Sequence, residues 1–231
     1  MPILPGASGA LDVPEGTFDN FLIDASNRQA YDCIRHLADG AMDLDRAKIL
    51  MLCGPSGCGK SHLLRALTSA VTKSAGPSAV TEMSSEGIRS GTIEALRLET
   101  LDQYLTELTE GRLLLVDQGE DLASDHALDG FIARMLVSVV VGGTSVVVAS
   151  STALPALVRM SESHTLLHGS TISPPTRALV ARALRRSPLS YGVASPKVWN
   201  IAREAGTVPA GLGQCQRLAL EASLRSPRSR L

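Results

Sequence analysis

Residues 54–61 read Gly-Pro-Ser-Gly-Cys-Gly-Lys-Ser and fit the spacing G-x-x-x-x-G-K-[ST]. Gly54, Gly57 and Gly59 let the backbone turn tightly. The N–H groups of Pro55's neighbours, Ser56, Cys58 and the glycines can then converge on phosphate oxygens. Lys60 carries a cation to the β- and γ-phosphate positions, and the Ser61 hydroxyl is a hard oxygen ligand for Mg²⁺. The apolar run before the loop, "AKILMLCG" at 47–54, suits a buried strand. "SHLLRALTSAV" after it suits a helix that opens with Lys60, Ser61 and His62, which together with residues 54–59 are the expected nucleotide-binding residues, and places Leu63, Leu64, Leu67 and Val71 on one face. The helix adds the positive end of its dipole to the phosphate site. The expected ligands are ATP or ADP with Mg²⁺.

A metal-binding acid is expected at the end of a second apolar strand. "RLLLVDQGED" supplies Asp117 there, the candidate outer-sphere ligand of Mg²⁺. Two other constellations are weaker. His164 and His168 stand four residues apart, but "TLL" between them lacks the glutamate of a zinc protease and no third ligand is evident. Ser56 and Ser61 beside His62 lack a Gly-x-Ser-x-Gly elbow, so a hydrolase triad is not expected.

The elements needed to position these residues follow from periodicity. Strands are expected at 47–54, 78–83, 112–118 and 144–151, alternating with helices at 60–71, 99–111 and 126–140. Another helix, with Ala30, Ile34 and Leu37 on its buried face, precedes them and has Asp24 or Ser26 as candidate caps. Such alternation implies an α/β fold, a parallel sheet with helices on both faces. No run of eighteen apolar residues exists to span a membrane, and the N-terminus lacks the features of a signal peptide. Cys33, Cys53, Cys58 and Cys215 form no CxxC pair, so they are read as reduced thiols of a cytoplasmic protein.

Charge divides the chain. Residues 1–175 carry 12 Lys+Arg against 21 Asp+Glu, whereas residues 176–231 carry 10 against 2. The break coincides with Pro174 and Pro175, which interrupt both strand and helix. Beyond it, "TRALVARALRR", "SPKVWNIAREAG" and "GQCQRLALEASLRS" read as helices. Arg177, Arg182, Arg185 and Arg186 gather on the first of them, as a solvated face or as an anion-contacting one. DNA is the candidate anion. Only Tyr191 and Trp199 are available for stacking in this part, which gives single-stranded bases little support.

With these residues in view, "TFDNFLIDASNRQAYDCIRHLAD" followed by "ILMLCGPSGCGKSHLLRAL" resembles the AAA+ ATPase core of the bacterial replication initiator DnaA and its shorter Hda-like relatives. The likeness continues through "LLLVDQGEDLA", "VVVASSTALP" and "ISPPTRALVARAL" and covers roughly residues 17 to 225. It implies a P-loop αβα sandwich followed by a small helical lid. The expected division is a leader at 1–16, a nucleotide-binding core at 17–173, a lid at 174–227 and a basic tail at 228–231.

Departures from the family pattern set the expected activity. No counterpart of the initiator's helix-turn-helix module is expected after the lid. The leader "MPILPGASG" lacks the Gln of the Hda-type clamp-binding peptide, which counts against a sliding-clamp partner. The family's second acid after Asp117 is replaced by Gln118, an amide that cannot take a proton from the attacking water. Glu120, two positions on, is a candidate substitute. Ser151 or Ser150 stands where the family has a longer polar sensor of the γ-phosphate. Arg159 lies several residues before the arginine-finger position, and the lid arginine falls near Gly213, with Arg217 about one turn late. These features lead to a nucleotide-dependent switch in replication initiation or its regulation, with weak hydrolysis. The expected partner is another AAA+ replication protein or a second copy. The alternatives are a DNA-dependent ATPase that loads a helicase or assists transposition, and a pseudo-ATPase scaffold.

Overall fold

The computed structural model describes residues 16–40, 49–123, 126–162, 167–172 and 177–186, with Ile201, Arg203, Glu204, Ala210 and Gln214 beyond them. Five strands form one parallel sheet: β1 (Ile49–Cys53), β2 (Val80–Ser84), β3 (Leu113–Asp117), β4 (Ser145–Ser150) and β5 (Leu167–Thr171), in the order β2-β3-β4-β1-β5. β1 lies inside the sheet between β4 and β5, with Leu50 opposite both Val147 and His168. Helices α1 (Arg28–Ala38) and α2 (Lys60–Ala75) cover one face. The other face carries α3 (Ser85–Arg97), α4 (Leu101–Thr109), α5 (His126–Val141) and α6 (Pro155–Glu162). α7 (Arg177–Arg186) follows the sheet.

Why the sheet has this form is visible strand by strand. β1, β3 and β4 are almost wholly apolar because both of their faces are covered. Leu50, Leu52, Leu113, Leu115, Val147 and Ala149 pack toward α1 and α2, whereas Ile49, Met51, Leu114, Val116, Val146 and Val148 pack toward the opposite helices. That is the period of two expected of a pleated strand. β2, an edge strand, carries Thr81 and Glu82 and stays half-exposed.

Three elements are absent from the sequence expectations: α3, α6 and β5. α3 contains Gly87, Gly91 and the β-branched pair Thr92 and Ile93, a poor helical sequence. Tertiary context holds it: the Ser84 hydroxyl caps the Gly87 N–H at 3.0 Å, and Ile88, Thr92 and Ala95 are buried. β5 has a glycine at its centre and gains its conformation by pairing along the whole of β1. His168 lies on this strand, so the helical spacing of His164 and His168 does not apply; His164 falls outside the described residues. The cap of α1 is also moved. Asn27 is the N-cap, and Asp24 and Ser26 form the turn before it, the Ser26 N–H donating to Asp24 Oδ1 at 2.8 Å. No helix among the described residues is long and apolar enough to cross a membrane. The expected lid boundary at residues 173–176 and most of the later helices lie outside the described residues.

Candidate functional site

The site is built at the carboxyl ends of β1, β3 and β4. The chain leaves β1 for the far edge at β2 and returns strand by strand to β4, then crosses over β1 to reach β5. β1 is therefore where the winding direction reverses, the position at which open parallel sheets leave a crevice.

The loop after β1 is fixed by its glycines. The Gly54 N–H donates to Ser150 O at 3.1 Å, which ties the loop to the end of β4. A Cβ at Gly54 would lie 2.5 Å from Ile172 O and 2.9 Å from Cys58 Sγ, so no larger residue fits. Gly59, at φ +108°, is the N-cap of α2, and a Cβ there would stand 3.0 Å from the Phe21 ring. The turn releases the first N–H groups of α2 from intrahelical bonding and aims them at the crevice. Lys60 Nζ donates to Gly54 O at 2.6 Å and to Pro55 O at 3.1 Å, so the cation spans the mouth of the loop. Ser61 is half-buried on the first turn of α2, and Pro55 and Ser56 are exposed at the loop's tip. Cys58 is buried within the loop. Burial pushes its thiol up, outweighing the Lys60 charge and two backbone hydrogen bonds, so the group stays a neutral packing element.

His62 is turned away from the loop mouth. Its Nε2 faces Thr17 O at 3.1 Å and Asn20 Oδ1 at 2.8 Å, and Asn20 Oδ1 also accepts the Thr17 N–H. Both partners are acceptors, so Nε2 carries the proton and donates to the pair. Burial lowers the imidazole pKa; the bond to Thr17 opposes this and the Arg65 charge adds to it. The ring meets Phe21 edge-on at 5.1 Å, and Phe21 stacks on Tyr31 at 5.8 Å. His62 thus ties residues 16–27 down beside the glycine loop. Their sequence suggested the family likeness, but no spacing pointed to this contact.

Around β3 the acids separate. Asp117 ends the strand, half-buried, and its Oδ1 accepts the Gln118 N–H at 2.9 Å. Gln118 has φ +57° and is exposed. Gly119 then presses on β4; a Cβ there would lie 2.6 Å from Val148 Cγ1. Glu120 follows with Oε2 accepting the Ser151 N–H at 2.9 Å. Partial burial, the largest single influence, raises the Glu120 pKa. The N–H groups of Ser151 and Glu120 itself, the Lys60 charge and the Ser150 hydroxyl together outweigh it and hold the carboxyl below its ordinary value. The structure thus brings Glu120 against Ser151 at the end of β4, where the Lys60 charge also acts on the carboxyl.

Ser61 and Asp117 are hard oxygen donors of the kind Mg²⁺ accepts alongside phosphate oxygens and water. The described residues contain no group of three His, Cys, Asp or Glu able to hold a metal by themselves. Two side chains completed by a ligand's phosphates fit that composition, and Mg²⁺ there would neutralise charge on the β- and γ-phosphate oxygens.

The arginines are dispersed. Arg159 is exposed on α6 and lines a cleft of about 180 Å³ with Leu122, Asp129 and Leu157, on the face opposite α2. Arg182 on α7 donates from Nη2 to Ile23 O at 2.9 Å, which joins α7 to the segment pinned by His62. The side chains of Arg177, Arg185 and Arg186 lie outside the described residues, as do Gly213 and Arg217.

The family model of the bacterial DnaA ATPase domain matches residues 13–166. The chromosomal replication initiator protein DnaA of Ehrlichia ruminantium (strain Gardel) is 29% identical over 110 residues, 48% of this chain and 24% of the relative. The chain thus matches about a quarter of the length of such relatives. Domain III of the Thermotoga maritima replication initiation protein DnaA shares the fold at a TM-score of 0.77 and 17% identity, covering 94% of this chain and 93% of that one. AMPPCP-bound DnaA from Aquifex aeolicus gives 0.74 at 17% identity, covering 91% and 67%.

Proposed function

The chain belongs to the bacterial DnaA ATPase family, and from that premise we propose that it binds ATP or ADP with Mg²⁺ and acts as a nucleotide-dependent switch in replication initiation or its regulation. The observation that carries this reading is the loop 54–61, pinned to β4 through Gly54 and spanned by Lys60. In the bound state Lys60 exchanges its two carbonyl partners for phosphate oxygens, Ser61 and Asp117 hold Mg²⁺, and the N–H groups at the start of α2 face the phosphates. The switch is a change in how the basic C-terminal lid sits on residues 16–27, where Arg182 meets Ile23. A partner surface senses that change, on another AAA+ replication protein or a second copy, with DNA reached through the basic residues of the lid.

Intrinsic hydrolysis is slow in this reading. The sequence offers no arginine at the finger position, and supplying one in trans is worth a factor of about 10³ or more. The test is calorimetric titration of the protein with ATP, ADP and GTP in the presence of Mg²⁺, followed by a turnover assay with and without DNA. Saturable adenine-nucleotide binding with turnover far below about 1 per second supports the switch. Turnover above that rate without a partner overturns it in favour of a motor ATPase, and absence of binding overturns the nucleotide reading itself.

A further inference from the structure

We propose that Glu120, held by Ser150 and Ser151 at the end of β4, orients and deprotonates the attacking water in place of the amide at Gln118. The inference rests on the proposed nucleotide reading and assigns roles within that same site.

Three observations converge on Glu120. The first is the route of the backbone. Gln118 adopts the left-handed conformation at φ +57°, which breaks the line of β3 and leaves its side chain exposed. Gly119 then passes over Val148 so closely that a Cβ would meet it at 2.6 Å, and this carries residue 120 onto the tip of β4. The second is anchorage. Glu120 Oε2 accepts the Ser151 N–H at 2.9 Å, and the nearby Ser150 hydroxyl favours the ionised carboxyl. Ser150 is fully buried, and its Oγ accepts the Thr152 N–H at 3.3 Å, which fixes the hydroxyl beside the turn that carries Glu120. The neighbouring residues hold the turn from the other side: Leu122 is buried in the core, and Asp121 Oδ2 accepts from Ser85 Oγ at 3.4 Å. The third is charge. Lys60, the cation of the phosphate loop, is close enough to help keep Glu120 ionised.

An ionised, exposed carboxylate beside the phosphate loop can accept a hydrogen bond from water; the Gln118 amide cannot become a base. In the step proposed, the water oxygen bonds to the γ-phosphorus while one water proton passes to Glu120. The bond from the γ-phosphorus to the β,γ-bridging oxygen breaks, and ADP and inorganic phosphate are the products. The exposed carboxyl then returns its proton to solvent. Ser150 and Ser151, too short to reach far into the site, act as positioning residues for Glu120.

Single-turnover hydrolysis of radiolabelled ATP with Mg²⁺, beside calorimetric affinity for AMPPCP, tests this. Glu120→Gln keeps an oxygen to accept the Ser151 N–H, so the turn is retained while the base is lost. Its rate is expected to fall about 100-fold, with AMPPCP affinity within about twofold of the parent. Ser150→Ala lowers the rate in the parent by about tenfold and has no further effect once Glu120 is Gln, because it acts only through that carboxylate. Multiplying effects of the two changes overturn the positioning role. A Glu120→Gln rate within about threefold of the parent, or a larger loss in Gln118→Ala, overturns the assignment of the base. A parent protein that binds AMPPCP and cleaves no ATP overturns it while leaving the nucleotide reading intact. A parent protein that binds neither overturns both.

Discussion

Two loops leave the sheet at its carboxyl edge, and they reach their shapes by opposite means. After β1, glycines stand where the backbone is crowded or left-handed: Gly54 against Ile172 and Gly59 at φ +108° beneath Phe21. After β3 the left-handed position is occupied by Gln118, with no glycine to relieve it. The first loop carries its geometry in its own sequence. The second is held by its surroundings, through Asp117 Oδ1 on the Gln118 N–H, Gly119 on Val148 and Glu120 on Ser151. A loop of the first kind is specified by residue types at fixed spacing, and one of the second kind only by the neighbours it meets after folding.

The largest effect that distinguishes them is on ligand affinity. Lys60 is the cation of the first loop, and Lys60→Ala removes its charge-assisted bonds to phosphate. ATP affinity measured by calorimetry is expected to fall by about 100-fold or more. Wild-type affinity in this variant would remove the loop from the binding site. Glu120→Gln, at the second loop, should leave affinity nearly untouched and act on the chemical step instead.

Next in size is the cost of a methyl group. Gly59→Ala forces a Cβ into the left-handed region and against Phe21, and should lower stability by about 2 kcal/mol in urea denaturation. Gly40 is also left-handed, at φ +68°, but a Cβ there meets nothing within 4 Å. Gly40→Ala should therefore cost only the backbone term, about 1 kcal/mol. Equal losses at the two positions would show that Phe21 does not press on the loop. The second loop should respond with the opposite sign. Gln118→Gly relieves φ +57° and is expected to raise stability by about 0.5 kcal/mol, the gain being trimmed by the extra freedom of glycine in the unfolded chain. A loss there would mean that Gln118 makes a stabilising contact that outweighs its strain.

The same contrast explains how far the sequence could be read. The glycine loop, the strand before it and the helix after it were legible, because residue types and hydrophobic period agree over residues 49–71. The parallel α/β class was legible too, since β1, β3 and β4 are apolar runs separated by helical segments. α3 was not, because two glycines and three β-branched residues conceal a helix that depends on its buried face. β5 was not, because "LHGST" has no strand signal apart from its pairing with β1. At the site, Asp117 was legible as the acid ending a strand. Glu120 stood only as a substitute for the missing acid, and its attachment to Ser151 depends on a left-handed glutamine that no propensity foretells. His62 was grouped with the phosphate loop by adjacency. Its contact with Thr17 and Asn20 spans more than forty residues of chain and could be seen only in three dimensions.

That contact gives the smallest expected effect, a pH dependence that belongs to the first loop alone. His62 is held neutral, donating from Nε2 to Thr17 O and Asn20 Oδ1, and burial lowers its pKa below the ordinary 6.5 while Arg65 adds to the fall. Between the folded and unfolded values, the unfolded chain binds the proton more readily. The contribution of His62 to stability is therefore fully present above about pH 6.5 and declines as the pH falls through the folded value. His62→Gln retains an N–H donor toward the same two acceptors but does not titrate. Urea denaturation between about pH 5 and 8 should show a parent protein that loses stability on acidification faster than the variant, with the two curves parallel above neutrality. Curves that stay parallel over the whole range would mean that the imidazole is as freely protonated in the folded chain as in the unfolded one.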